Sequence, residues 1–173
     1  MTKVVLTEAE KRVGVMIAKA RYKSNRKANI KRAKLPQDSE LDPDIEGAMS
    51  ELALCKHLGV YPEGVMEVGT RSVSKGTDDG DIVYQGVSID AKSTQHQTGR
   101  LICMKKNDAI DLYVLLVGRR GEYDIKGCMY AKDLCVEDRY GHHGVFRKAC
   151  YKAEQNELMN LEDVFPSIAS QAG

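Results

Sequence analysis

DDGDIVYQGVSIDAKST, Asp78 to Thr94, consists of two short runs of alternating apolar and polar residues joined by Gln85 and Gly86. If those two residues form the loop of a tight hairpin, Tyr84 faces Val87, Val83 faces Ser88, Ile82 faces Ile89 and Asp81 faces Asp90. Because side chains alternate along a strand, Ile82, Tyr84, Val87, Ile89 and Ala91 then share an apolar, core-facing side. Asp81, Val83, Ser88, Asp90, Lys92 and Thr94 share the other. Two carboxylates meet across the ladder. Like charges with Cβ atoms roughly 5 Å apart destabilise a sheet, and a hard divalent cation offsets that repulsion. Mg²⁺ takes one or two carboxylates, keeps several waters and binds substrate phosphate. Lys92, two residues past Asp90 on the same face, would position or deprotonate an attacking water, or stabilise charge growing on a phosphoryl oxygen. The bland alternative is a surface ion pair between Asp90 and Lys92.

Working outward from the hairpin, LYVLLVG from Leu112 is an apolar run suited to a buried central strand, and CMYA from Cys128 reads as another strand. Upstream, Asp42 as N-cap, Pro43 at the first helical position and Gly59 after Leu58 bound a helix. Within it, Glu51 has Gly47, Ala48, Leu54 and Cys55 as its neighbours three and four residues away. An ionised glutamate on such a stripe is costly to bury, so it either reaches a partner or titrates up. A first helix starts at Thr7 with a Thr7/Glu10 capping box and runs to about Tyr22, its apolar face formed by Val13, Met16, Ile17 and Ala20. Residues 61–80 read as loop with one short strand near Val65 to Val68, and the end of the chain, from Arg147 to Phe165, as a last strand followed by a short helix. The order is helices first, a sheet in the middle and a mixed end.

The chain has 173 residues, 42% of them hydrophobic and 29% charged, which suits one domain over 1–173, α/β (α+β) in class, with a central mixed sheet flanked by helices. Residues 1–40 would carry the first helix and a basic arm, and 41–173 the core. The formal net charge of +1 conceals a blocked distribution. Lys19, Arg21, Lys23, Arg26, Lys27, Lys31, Arg32 and Lys34 occur with no acidic residue among them, and Asp38, Glu40, Asp42, Asp44 and Glu46 follow. Such an arm is either a solvated face or a contact for phosphates. No window has the length of an apolar membrane span, and the first residues lack a secretory signal, so a cytoplasmic protein without membrane contact is expected. The five cysteines are widely spaced and read as reduced thiols. His96 reads as an ordinary loop histidine, and His142 and His143 lack partners at zinc spacing.

Glu51 in its helix, Asp81, eight intervening residues and the triplet Asp90-Ala91-Lys92 together resemble the PD-(D/E)XK nuclease superfamily, over roughly Ile45 to Gly118. The resemblance implies a restriction endonuclease-like fold and a Mg²⁺-dependent DNA endonuclease, with Mn²⁺ able to substitute. Carried over residue by residue, it makes Asp81, Asp90 and the carbonyl of Ala91 metal ligands, puts Lys92 on the nucleophilic water and gives Glu51 a second metal or its waters. Gly80 stands where the family pattern carries proline, and Asp90 where glutamate is commoner. No glutamine after Lys92 is followed four residues later by tyrosine, which speaks against a RecB-like enzyme. A Holliday-junction resolvase, a restriction or homing-type endonuclease, another structure-specific nuclease, or a non-catalytic DNA-binding protein retaining the fold all stay open. One module of this size does not cut two strands at once, so a homodimer is the expected working form.

Overall fold

The computed structural model describes residues 2–27, 42–62, 82–143 and 148–169, with only the backbone described at 24–27, 42 and 169. Its frame is a five-stranded mixed sheet in the order β1-β6-β5-β3-β2. These strands are β1 (Thr2–Val5), β2 (Ile82–Tyr84), β3 (Val87–Thr94), β5 (Leu112–Arg119) and β6 (Glu122–Tyr130). Only β3 and β5 run parallel. A parallel neighbour requires a crossover, and the segment that makes it carries β4 (Leu101–Cys103) into a second sheet. That three-stranded sheet has the order β4-β8-β7, with β7 at Tyr140–Gly141 and β8 at Cys150–Ala153.

The apolar run at Leu112 is the middle strand of the five, and its two faces are both covered. Leu112, Val114 and Leu116 belong to one core with Ile82, Tyr84 and Ile89. Above them pack α1 (Glu8–Lys27), α2 (Asp42–Leu58) and two short C-terminal helices, α4 (Leu161–Val164) and α5 (Pro166–Ala169), through Ile17, Ala48, Leu52, Leu161, Phe165 and Ile168. Tyr113, Leu115 and Val117 point the other way, into a second core with Leu101, Cys103 and Ala153 of the small sheet and Leu134 of α3 (Ala131–Leu134). The sheet expected between helices thus has its two long helices on one face and mainly a second sheet on the other. A strand apolar at every position needs cover on both sides, and the short segments around Leu101 and Ala153 supply the second.

The β2–β3 hairpin has the expected register, Tyr84↔Val87, Val83↔Ser88 and Ile82↔Ile89. Gln85 and Gly86 take φ of 51° and 79°, the paired positive values of a type I′ turn, so glutamine accepts here the conformation that asparagine more often supplies. The same device, at Arg120 and Gly121 with φ of 53° and 86°, joins β5 to β6. At α1 the capping box forms, with the Thr7 hydroxyl accepting from the Glu10 N–H at 3.3 Å and Glu10 accepting from the Thr7 N–H. At the end of α2, Gly59 takes φ 67° and the Val60 N–H donates to the Cys55 carbonyl at 3.0 Å, a Schellman closure.

Three expectations need correction. The chain opens with a strand, since β1 pairs along β6 at the sheet edge, so the N-terminal segment is part of the sheet and not only a helix with an arm. The strand seen in CMYA begins six residues earlier, at Glu122. In α1 the buried stripe is Gly14, Ile17 and Ala18, while Val13 and Met16 are 36% and 69% exposed. Gly14 fits the rotation: a Cβ there would lie 2.9 Å from Cγ of Met49, so the missing side chain lets the two helices approach closely along this line. The strand expected near Val65 to Val68 lies outside the described residues. Among the described residues no helix is long and apolar enough to cross a membrane.

Candidate active site

Strand β3 positions the first pair. Ile89 is in the helix-side core and Ala91 packs against it, so Asp90 and Lys92 emerge on the opposite face of the sheet. Lys92 Nζ donates to both carboxylate oxygens of Asp90, at 2.7 and 2.6 Å. Asp90 lies beside Tyr113 in the parallel ladder, and the Lys92 ammonium stands 5.7 Å from the centre of the Tyr113 ring. Tyr113, 1% exposed, accepts a hydrogen bond from the Cys103 thiol at 3.3 Å. Burial raises the Tyr113 phenol first, the hydrogen bond with Cys103 next, and the Asp90 charge adds to the rise, so it stays protonated. The described β2–β3 ladder ends at Ile82↔Ile89. Asp81, expected opposite Asp90, lies outside the described residues.

Helix α2 positions the second pair. Glu51 is only 7% exposed, and Arg21 of α1 meets it with a two-pronged bond, Nη1 to Oε1 at 2.9 Å and Nη2 to Oε2 at 2.7 Å. Such a fork is the strongest form of carboxylate recognition. Burial pushes the Glu51 carboxyl up and outweighs the pull of Arg21 in the other direction; the Asp90 charge raises it further and that of Lys92 lowers it. Both members of the strand pair are therefore felt at Glu51, although Glu51 comes from the helix that covers one face of the sheet and Asp90 and Lys92 emerge on the other.

Of the basic arm, Lys19 and Lys23 are exposed on α1. Arg21, counted with them in the sequence, is turned inward onto Glu51. Arg26 and Lys27 close α1, their side chains outside the description, and Lys31, Arg32 and Lys34 lie outside the described residues altogether. His96 is exposed in the turn after β3.

Sequence reasoning missed two members of the site. Arg21 follows Gly14, Ile17 and Ala18 at helical spacing, which puts it on the buried stripe of α1, a signal hidden by the neighbouring charges. Tyr113 carries the hydroxyl of an otherwise aliphatic run, and the alternation that places Leu112 and Val114 in one core places it in the other.

Among the described residues no group of three or more histidine, cysteine, aspartate or glutamate side chains is arranged to hold a metal ion. Asp90, bonded to Lys92, supplies carboxylate oxygens on this strand, Ala91 between them supplies a carbonyl, and Glu51 lies within electrostatic range. One or two carboxylates with water and substrate phosphate suffice for Mg²⁺, which seldom relies on an all-protein cage. The donor set is thus compatible with that ion and unlike a structural zinc site, which wants cysteine and histidine. No curated protein and no solved structure matches the chain. The model of a Family of unknown function (DUF5843) matches residues 1–155, a span that holds both ion pairs and the strands and long helices that place them, and the chain belongs to that family.

Proposed function

We propose that this chain is a Mg²⁺-dependent DNA nuclease of the PD-(D/E)XK kind. The observation that carries the proposal is the placement of Asp90 and Lys92 on one sheet face, on the second strand of a hairpin in the expected register, with the buried Glu51 in electrostatic range. Mg²⁺, when bound, would polarise the phosphodiester and make its own water more acidic. Asp90, and with it the carbonyl of Ala91, would hold the ion, together with Asp81. Lys92 keeps its protons directed at the Asp90 oxygens, which fixes the ammonium where it can orient a water and stabilise charge on a phosphoryl oxygen. Glu51, with both oxygens engaged by Arg21, acts through its charge and through bound water. Lys19 and Lys23 on α1 would hold the duplex by its phosphates. A cytoplasmic setting, a homodimer and a structure-specific substrate such as a four-way junction all belong with this proposal.

One observation favours a second function. Each described carboxylate of the site already has a basic partner, Lys92 for Asp90 and Arg21 for Glu51, so the described groups balance their own charge. That is what a non-catalytic DNA-binding protein retaining the nuclease architecture would show. Incubation with linear, nicked, single-stranded and four-way-junction DNA in Mg²⁺, Mn²⁺ or chelator separates the two. The nuclease is expected to cut at least one form with metal only. Asp90→Ala and Lys92→Ala should lower the cleavage rate by about 10²–10⁴ with DNA binding retained. Equal products from wild type and both variants would end the proposal.

A further inference from the structure

Helix α1 has two chemically distinct sides, and the inward turn of Arg21 separates them. At about 100° per residue, Gly14, Ile17, Ala18 and Arg21 fall on the side that faces α2, where the first three are buried and the fourth clamps Glu51. Arg12, Met16, Lys19 and Lys23 fall within about 60° of one another on the opposite side, and all four are exposed. Their Cα atoms span roughly 16 Å along the axis at 1.5 Å per residue. Other basic residues at this end of the molecule are used internally: Lys11 binds Glu8 at 2.8 Å and Lys56 binds Glu10 at 2.8 Å. Among the described residues no carboxylate lies within ion-pair distance of Arg12, Lys19 or Lys23, and Glu8, which also feels the charge of Arg12, is bonded to Lys11.

We infer that Arg12, Lys19 and Lys23 form a ridge that takes the phosphate backbone of DNA, and that Arg21 is no part of it but a positioning residue for Glu51. The inference rests on the proposal that DNA is the substrate. It adds Arg12, which lies before the basic run, and removes Arg21, which lies within it. A partner made of repeated single negative charges matches a line of cations along one helix face by charge complementarity, and contacts of this kind position a duplex without reading its bases. The guanidinium of Arg21, engaged with a carboxylate through two of its nitrogens, contributes no counterion release of its own.

The test is binding of a mixed-sequence duplex oligonucleotide to the full chain in chelator, as a function of salt. Each phosphate contact removed should make the slope of log affinity against log salt shallower by about 0.9. Arg12→Gln, Lys19→Gln and Lys23→Gln should each do so, and together by about 2.7; Arg21→Gln should leave the slope as in wild type. Where Arg21→Gln does not fold, the Arg21→Gln/Glu51→Gln double variant replaces it, with the same expectation. A triple variant with the wild-type slope, or an Arg21 variant whose slope falls like the others, overturns the inference. So does binding to anionic phospholipid vesicles or polyglutamate in place of DNA. Cleavage of the same duplex in Mg²⁺ scores the nuclease separately. Ridge-dependent binding without cleavage of any DNA form removes the hydrolase and leaves the ridge, whereas cleavage with a slope indifferent to the ridge removes the ridge alone.

Discussion

Two ion pairs of the same formal composition stand within electrostatic range of each other and are built in opposite ways. Arg21–Glu51 joins two helices, with side chains 22% and 9% exposed; Lys92–Asp90 joins alternate residues of one strand, at 35% and 17%. In the first the α1–α2 contact encloses Glu51, so that carboxylate has little water to fall back on and depends on Arg21. In the second the lysine amine is a flexible point charge on the same strand as its partner, so releasing the carboxylate to another cation separates no two elements of the fold. Enclosure makes a charge pair part of the fold, and partial exposure leaves it available for chemistry.

The sharpest way to break this contrast is stability. Arg21→Gln leaves Glu51 buried without its counter-charge and should cost about 3 kcal/mol, read as a lower urea midpoint at unchanged slope. Adding Glu51→Gln should restore most of that loss, because two amides of similar shape need no counter-charge. Lys92→Ala should cost no more than about 1 kcal/mol. If the two single variants were equally destabilised, the strand pair would be structural too, and the main support for chemistry at Asp90 would go with it.

Acid titration sharpens the same difference. Burial, the largest influence, leaves the Glu51 carboxyl raised above its ordinary 4.5 despite Arg21. The folded protein therefore holds this proton more tightly than the unfolded chain. The stability it contributes is complete below the ordinary glutamate range and is lost as the pH rises through the raised value. Unfolding free energy measured from pH 4 upward should show that decline in wild type, and Glu51→Gln should remove it. An unaltered profile in the variant would mean that Arg21 offsets burial and that Glu51 binds its proton equally in the folded and the unfolded chain.

The contrast also explains what could be read in the sequence. The hairpin was legible because alternation at Ile82, Tyr84, Val87 and Ile89 leaves one register with an apolar face, and a one-residue slip would turn it to solvent. Leu112 to Val117 was legible as a central strand because a strand buried on both faces has no polar position to obscure it. β1, β4 and β7 were not, having four, three and two residues, too few for a period to show; their partners on β6 and β8 define them. The α2 boundaries came from Pro43 and Gly59, whose effects are local, and Glu51 was marked by its apolar neighbours. Its partner was hidden because charge in a run like Lys19 to Lys34 says nothing about direction. Direction shows only in the packing, where Gly14 lets α1 approach α2 closely and Arg21 turns inward with the same stripe. The strand pair was visible through local spacing, whereas the helix pair depends on how two distant segments pack.

The smallest expected effect concerns what holds the exposed pair in place. The face of the Tyr113 ring attracts the Lys92 ammonium, an interaction worth about 0.5–1 kcal/mol at a partly exposed site, and the Tyr113 hydroxyl points away into the second core to meet the Cys103 thiol. Tyr113→Phe removes the hydroxyl and keeps the ring, so cleavage should stay near the wild-type rate while stability falls by about 1 kcal/mol with the lost hydrogen bond. Tyr113→Leu removes the ring and should slow cleavage by roughly two- to fivefold, with KM little changed if Lys92 acts on the reacting atoms and not on substrate binding. The comparison of the two variants carries the information, since both disturb the same core and only one frees the lysine. Equal rates in Phe and Leu would show that Asp90 alone holds Lys92, and the aromatic face would then be packing for the central strand.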